Sequence, residues 1–295
     1  MVGLHQTNSV SSCLLCGSTM KRWFSTVNRG VGPRESFEIF RCNHCSSTLI
    51  SPIPVNLNTY YSGYHAIPKS KSWQRAVRAC NNRLDVVLVV SHGERTSILD
   101  IGAGAGAFVN AAQIKGFKVA AIEQDEKCRI NLESLIPGQV SKDLETHRQK
   151  SLAKPDIITL WHVFEHIPDP DLFLDSLRDF LATGTKIVIE VPNADSLIFW
   201  LMRSYWPHLD APRHVFIPSR MGIETIARKH GLRIKQLRNR DNANWGAFSF
   251  SNIANNGRNN AFSRILRRII QICLSPLFRF ESLRFGTTST YVLEV

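Results

Sequence analysis

Residues 97–123 run from an apolar strand through three alternating glycines into a helix, and then into a second strand that ends in an acid. The turn reads Ile98-Leu99-Asp100-Ile101-Gly102-Ala103-Gly104-Ala105-Gly106, and the acid is Glu123, 17 residues past Gly106. Glycines at such a turn reach left-handed backbone angles and let a ligand approach the N–H groups that open a helix. A carboxylate at the end of the next strand is placed to accept both hydroxyls of a ribose. Three glycines in a strand-helix turn lower stability unless they serve a purpose. The arrangement therefore predicts a parallel α/β sheet that binds a nucleoside-bearing cofactor.

The remainder of the chain fits that frame. Strand patterns at 97–101, 117–123, 156–161 and 186–191, with a weaker one at 139–142, alternate with helical patterns at 106–115, 125–135 and 170–181. This is the signature of a doubly wound, Rossmann-like, mostly parallel sheet. A helix at 219–230 and short strands at 232–237 and 289–295 follow. Residues 69–92 space Trp73, Val77, Cys80, Leu84, Val87 and Leu88 like one face of a linker helix. The expected organisation is a small module at 10–60, a helical linker at 61–95 and a main domain at 96–295 with a helical insertion near 242–286.

Of the 295 residues, 43% are hydrophobic, which excludes global disorder. No run approaches the ~20 apolar residues that cross a bilayer, and the first residues lack a secretory pattern. A cytoplasmic location is the expectation. The formal charge of +12 is uneven: residues 1–95 carry +7, 96–195 carry −5 and 196–295 carry +10. An acidic centre between basic flanks suits a cationic ligand and an anionic partner or surface. The turn is GxGxG rather than the GxGxxG of dinucleotide enzymes, and Asp100 precedes the first glycine by two positions. A pyrophosphate is disfavoured beside that carboxylate, whereas the sulfonium and ammonium of S-adenosylmethionine tolerate it.

Seven cysteines include two tight pairs, Cys13-x2-Cys16 and Cys42-x2-Cys45. Four thiolates in two knuckles suit a closed, structural, tetrahedral Zn²⁺, with His44 as a spare donor. A segment this small has too little core to fold unaided. Cys80, Cys128 and Cys273 have no partner spacing and read as core residues.

The segment ILDIGAGAGAF resembles motif I of the class I S-adenosylmethionine-dependent methyltransferases. PDIITLWHVFEHIPDP, KIVIEVPN and DAPRHVFIPS then resemble a bacterial branch of that superfamily, in the same order. CLLCGS, RCNHCSSTLISPIP and TYYSGYH resemble the zinc-ribbon head that precedes such domains in polysaccharide and antibiotic-sugar biosynthesis, with Ser46 where a glycine is usual. The resemblance implies a seven-stranded sheet with one antiparallel edge. It also implies S-adenosylmethionine as cofactor and an O- or C-methylated small-molecule or sugar acceptor, such as a nucleotide-linked sugar. Carried over residue by residue, Asp100, Gly102, Gly104 and Gly106 line the methionine and ribose, and Glu123 holds the ribose hydroxyls. Asp143 approaches the adenine, and Trp161 and His162 border the methionine. Tyr60, Tyr61 and Tyr64 either help to cover the acceptor pocket or pack the head against the main domain.

Methyl transfer needs orientation, and a hydroxyl or carbon acceptor must also lose a proton. His162, Glu165 and His166, with His208, Asp210, Arg213 and His214, fall on loops at one sheet edge, where open α/β sheets bind ligands. His214 is the preferred base, His166 the second, and Glu165 an orienting carboxylate. Arg203 and Arg213 are expected to flank the pocket and favour an anionic acceptor. Residues 262–280 carry an amphipathic helical pattern, read as a cap on the sheet, a homodimer contact or a peripheral membrane contact. The alternatives are an RNA methyltransferase and a non-catalytic membrane-surface or scaffold protein. Nucleic acid is disfavoured because the head shows no aromatic-basic stacking pattern and HVFEH provides no base-flipping motif. Intact glycines and Glu123 disfavour the scaffold.

Overall fold

The computed structural model describes residues 12–61, 70–150, 152–240 and 286–295. The head forms an antiparallel meander of β1 (Met20–Val27), β2 (Ser36–Cys42) and β3 (Thr48–Ser51). The linker is two helices, α1 (Ser70–Ala79) and α2 (Asn81–Val90), rather than one, with the break at Cys80. α2 buries Leu84, Val86, Val87 and Val90 against the main domain, a wider apolar face than the single expected stripe.

The main sheet starts with β4 (Ser97–Ile101), α3 (Ala107–Ile114), β5 (Lys118–Ile122), α4 (Glu126–Leu135) and the two-residue β6 (Val140–Ser141). The chain continues through α5 (Leu144–Gln149), β7 (Ile157–Trp161), α6 (Pro170–Ser176), β8 (Lys186–Pro192), α7 (Leu197–Met202) and β9 (Phe216–Ile217), the last of which joins the head and not this sheet. α8 (Arg220–Lys229), β10 (Arg233–Arg240) and β11 (Thr288–Glu294) complete it. The seven strands lie in the order β10-β11-β8-β7-β4-β5-β6, with β4 to β8 parallel. β11 runs antiparallel to both β8 and β10, so the antiparallel strand sits one place in from the edge.

β4, β7 and β8 are near-continuous apolar runs because helices or loops cover both of their faces. Leu99, Ile158 and Ile187 point into one core layer, and Ile98, Ile157 and Val188 into the other. Local chemistry sets the helix starts: Asp125, Asp143, Asp169 and Ser219 each cap a helix by accepting from the backbone N–H three residues on. The helix expected over 170–181 ends at Ser176 and resumes as a short 3-10 turn, Arg178–Phe180.

The head is not a separate bead. β9, far along the chain, pairs antiparallel with β3 through Thr48↔Ile217 and Leu49↔Phe216 and makes it a four-stranded sheet. Ser219 donates its backbone N–H to Ser47 Oγ at 3.0 Å, and its hydroxyl contacts the Cys45 carbonyl. Leu15, Met20 and Leu49 share one core with Phe216, Ile223 and Val191. Apart from Gly286, the expected insertion, with residues 262–280 and Cys273, lies outside the described residues, as does Tyr64. No described helix is long and apolar enough to cross a membrane.

Candidate active site

A cleft of about 1310 Å³ opens where the parallel strands end. One half is lined by Ile101-Gly102, Ile122, Glu123, Lys142, Asp143 and Trp161. The other is lined by His162, His166, His208, Asp210 and His214, and the head reaches in with Leu57, Asn58 and Tyr61.

The first half is shaped by backbone. Gly102 has φ +70°, and a Cβ there would sit 2.5 Å from Val163 Cγ2, so only glycine fits. Gly104 has φ +54° with nothing within 4 Å of a Cβ built on it, which leaves open space over the turn. The Gly104 N–H donates to Glu123 Oε2 at 2.7 Å, and the Asp125 N–H donates to Glu123 Oε1 at 2.8 Å. A carboxylate oxygen accepts more than one hydrogen bond, so Glu123 stays able to take two hydroxyls. Asp143 Oδ1 accepts from the Thr146 N–H and hydroxyl, which hold its pKa below the usual carboxylate value. Trp161 Nε1 is buried with no hydrogen-bond partner among the described residues. The open glycine turn, the carboxylate at the strand end and this donor fit an adenosyl ligand.

Two expected cofactor residues lie elsewhere. Asp100 is 1% exposed and accepts a 2.6 Å hydrogen bond from Thr159, its register partner on β7. Burial pushes its pKa up to about 7, so it is not a fixed negative charge beside the ligand. Its side chain is held against the neighbouring strand and does not line the cleft. Gly106 starts α3 at φ +88°, where a Cβ would meet Leu132 at 2.7 Å; its role is close helix packing.

The second half is a network of charges. His162 has φ +58°, an angle rare for a side-chain-bearing residue, and sits between two carboxylates. Its Nδ1 is 3.1 Å from Glu165 Oε1 and its Nε2 is 3.4 Å from Glu190 Oε1. Burial opposes its charge, but the two acceptors raise its pKa to about 9. Burial likewise opposes Glu165, yet His162 and the surrounding imidazoles bring it to about 2. Glu190 is held well below the usual range by His162 and by Arg83, whose Nε and Nη2 donate to it at 3.1 and 2.9 Å. The Arg83 guanidinium also stacks 5.1 Å from the Trp161 ring.

His214 Nδ1 lies 2.7 Å from the His208 carbonyl, and its Nε2 is 3.8 Å from Glu165 Oε1 and 3.9 Å from Asp210 Oδ2. His166 Nδ1 is 2.9 Å from the Arg213 carbonyl and 2.8 Å from the Tyr61 hydroxyl. Burial and the charge of His214 lower its pKa to about 4. The same two causes, with His162, lower His208 to about 3. The fold thus gathers His162, Glu165, His166 and His214 in one place.

Other expectations are redrawn. Arg213 pairs with Asp210 at 2.6 Å and Arg203 stacks 5.7 Å over Trp23; neither lines the cleft. Tyr60 is buried in the head and donates to Glu35, whereas Tyr61 reaches the cleft. Arginines do stack on rings within the chain, Arg41 and Arg203 over Trp23 and Arg29 over Tyr205. Their partners are far apart in sequence, so the pairs were not visible there. Glu190 and Arg83 were not anticipated. A lone acid inside the apolar strand KIVIEVP was the available signal for Glu190; Arg83 had none.

The four cysteine sulfurs of the head lie within 4.8 Å of one another, with Cys13–Cys45 at 3.6 Å and Cys16–Cys42 at 3.4 Å. Four sulfurs at ~2.3 Å from a tetrahedral zinc stand ~3.8 Å apart, so the donor set fits that ion. The His44 and Cys45 N–H groups point at Cys42 Sγ at 3.4 Å, as thiolate ligands require.

Comparison with known proteins places this geometry. A family model described as a methyltransferase domain matches residues 73–237. Ubiquinone biosynthesis O-methyltransferase from Photorhabdus laumondii is 27% identical over 127 residues, 41% of this chain; the chain spans about half (52%) of that relative's length. A SAM-dependent methyltransferase structure from Archaeoglobus fulgidus superimposes with a TM-score of 0.50 at 19% identity, covering 80% of this chain and all of that one. Coclaurine N-methyltransferase bound to N-methylheliamine and SAH gives 0.48 at 15%, covering 82% and 83%.

Proposed function

Because this chain belongs to the methyltransferase-domain family, we propose that it moves a methyl group from S-adenosylmethionine to an oxygen or carbon of a small-molecule acceptor. The observation that carries this reading is the single cleft joining the glycine turn and Glu123 to the histidine cluster. Glu123 takes the ribose hydroxyls, Asp143 faces the adenine, and the backbone of the turn and Trp161 frame the methionine end. The bound cofactor supplies an electrophilic methyl; the chain supplies orientation and exclusion of water.

His214 takes the acceptor's proton. The His208 carbonyl only accepts, so Nδ1 carries the ring proton and Nε2 keeps its lone pair toward the cleft. Glu165 stabilises the imidazolium that forms, and His166, neutral at pH 7, packs edge-on at 4.6 Å. A sugar acceptor rests on the resemblance of the head and main motifs to polysaccharide-type enzymes. Its anionic character loses support, since Arg203 and Arg213 are engaged elsewhere. The four-cysteine head holds a structural Zn²⁺.

Calorimetry with S-adenosylhomocysteine tests the donor half. We expect saturable binding that weakens about 10- to 100-fold in Glu123→Ala, the loss of hydrogen bonds to a charged group. His214→Ala should bind the ligand normally and lose turnover of a panel of neutral and nucleotide-linked sugars. Wild-type turnover in that variant removes the base assignment, and no adenosyl binding at all removes the function.

A further inference from the structure

The base cluster also has the makeup of a metal site. One donor atom from each of Glu165, His166 and His214 lies within 4.8 Å of the other two. Both imidazoles are held from behind by carbonyls, His214 by His208 and His166 by Arg213. Carbonyls only accept, so each Nδ1 carries the ring proton, which His166 also turns toward the Tyr61 hydroxyl at 2.8 Å, and each lone pair falls on Nε2. Metal-ligating histidines are supported in this way. Glu165 is fully buried, and its Oε2 has no hydrogen-bond partner among the described residues. An unpaired buried acceptor of this kind is costly unless something compensates it. Asp210 adds a further carboxylate, with Oδ2 3.9 Å from His214 Nε2.

We infer that Glu165, His166 and His214 bind one divalent first-row transition-metal cation at the acceptor end of the cleft, with acceptor oxygens completing its coordination. Imidazole with carboxylate suits Mn²⁺, Fe²⁺ or Zn²⁺ better than the all-oxygen preference of Ca²⁺ or Mg²⁺. The inference rests on the proposed function only for what completes the shell. A cation and a proton compete for the His214 lone pair, so the site has two states. Without the ion, His214 takes the proton itself. With it, a coordinated hydroxyl is acidified by the ion and its proton leaves to solvent, with His214 as a ligand.

The test uses the full chain with its head zinc-loaded and Mn²⁺ as the probe, followed by the electron paramagnetic resonance of free Mn²⁺. Thiolates disfavour Mn²⁺, so the head does not compete. The wild type should take up one Mn²⁺ per chain, and His214→Gln and Glu165→Gln should weaken uptake at least about tenfold. S-adenosylhomocysteine affinity, measured on the same samples, reports that the variants are folded. Protein that binds this ligand but no Mn²⁺, or His214→Gln with wild-type uptake, overturns the cation site. Residue-dependent Mn²⁺ uptake without adenosyl binding upholds the site and overturns the proposed methyl transfer.

Discussion

Ser46 shows what one side chain can impose on the head. It stands at φ +66°, a left-handed angle that costs a non-glycine residue ~1–2 kcal/mol. Ser46→Gly should therefore stabilise the protein by ~1 kcal/mol, read as a rise in Tm. At the cleft, the opposed shifts of the ionisable cluster set a pH optimum. His162, raised from 6.5 to about 9, contributes fully below pH 6.5 and loses its contribution as pH rises through 9. Asp100, raised from 3.8 to about 7, likewise loses stabilisation as pH climbs through that value. Glu165, lowered from 4.5 to about 2, contributes above pH 4.5 and loses it as pH falls through 2. His166 and His208 are neutral when folded but charge below pH 6.5 when unfolded, so stability falls as pH drops from 6.5 toward 4 and 3. Tm should peak near pH 6–7, and His162→Gln should flatten the alkaline limb. Glu123 and Asp143 were legible from position, each following a strand. Asp100 was misplaced because a strand covered on both faces has no polar alternation to show which way a side chain points.

At the scale of elements, most boundaries were written in caps and stops. Asp125 and Ser219 mark helix starts, and Gly116 and Gly231 helix ends, at φ +88° and +73°. Ser219 does more than cap α8. Besides accepting from the Gly222 N–H at 2.9 Å, its hydroxyl meets Ser47 at 3.1 Å and the Cys45 carbonyl, tying α8 to the second knuckle. Ser219→Ala should cost ~2 kcal/mol, the upper end for a lost cap, measured by urea denaturation. The split of the linker at Cys80 was not legible, since apolar spacing continues across it. Nor was β9, whose two residues form a strand only because β3 lies beside them.

For the whole molecule, the consequence is that head and main domain share one core, and β9 from the main domain completes the head's sheet. Removal of zinc by a strong chelator should lower Tm of the entire protein in a single transition, not release an independent head. Intrinsic fluorescence and far-ultraviolet circular dichroism should then report the same midpoint. That the sheet is mostly parallel followed from the alternation of strands with helices. The pairing of residues 48–49 with 216–217 did not, because contacts over that separation leave no periodic trace.

That pairing has an outcome for how such a molecule can change over time. The chain bearing His208, Asp210 and His214 runs straight into β9, which is stitched to the head rather than to the sheet that carries the glycine turn. Lengthening or repacking the head therefore shifts one wall of the cleft and leaves the adenosyl seat alone. New acceptors become reachable by re-spacing a gauge at the amino-terminal end while the donor chemistry stays as it was.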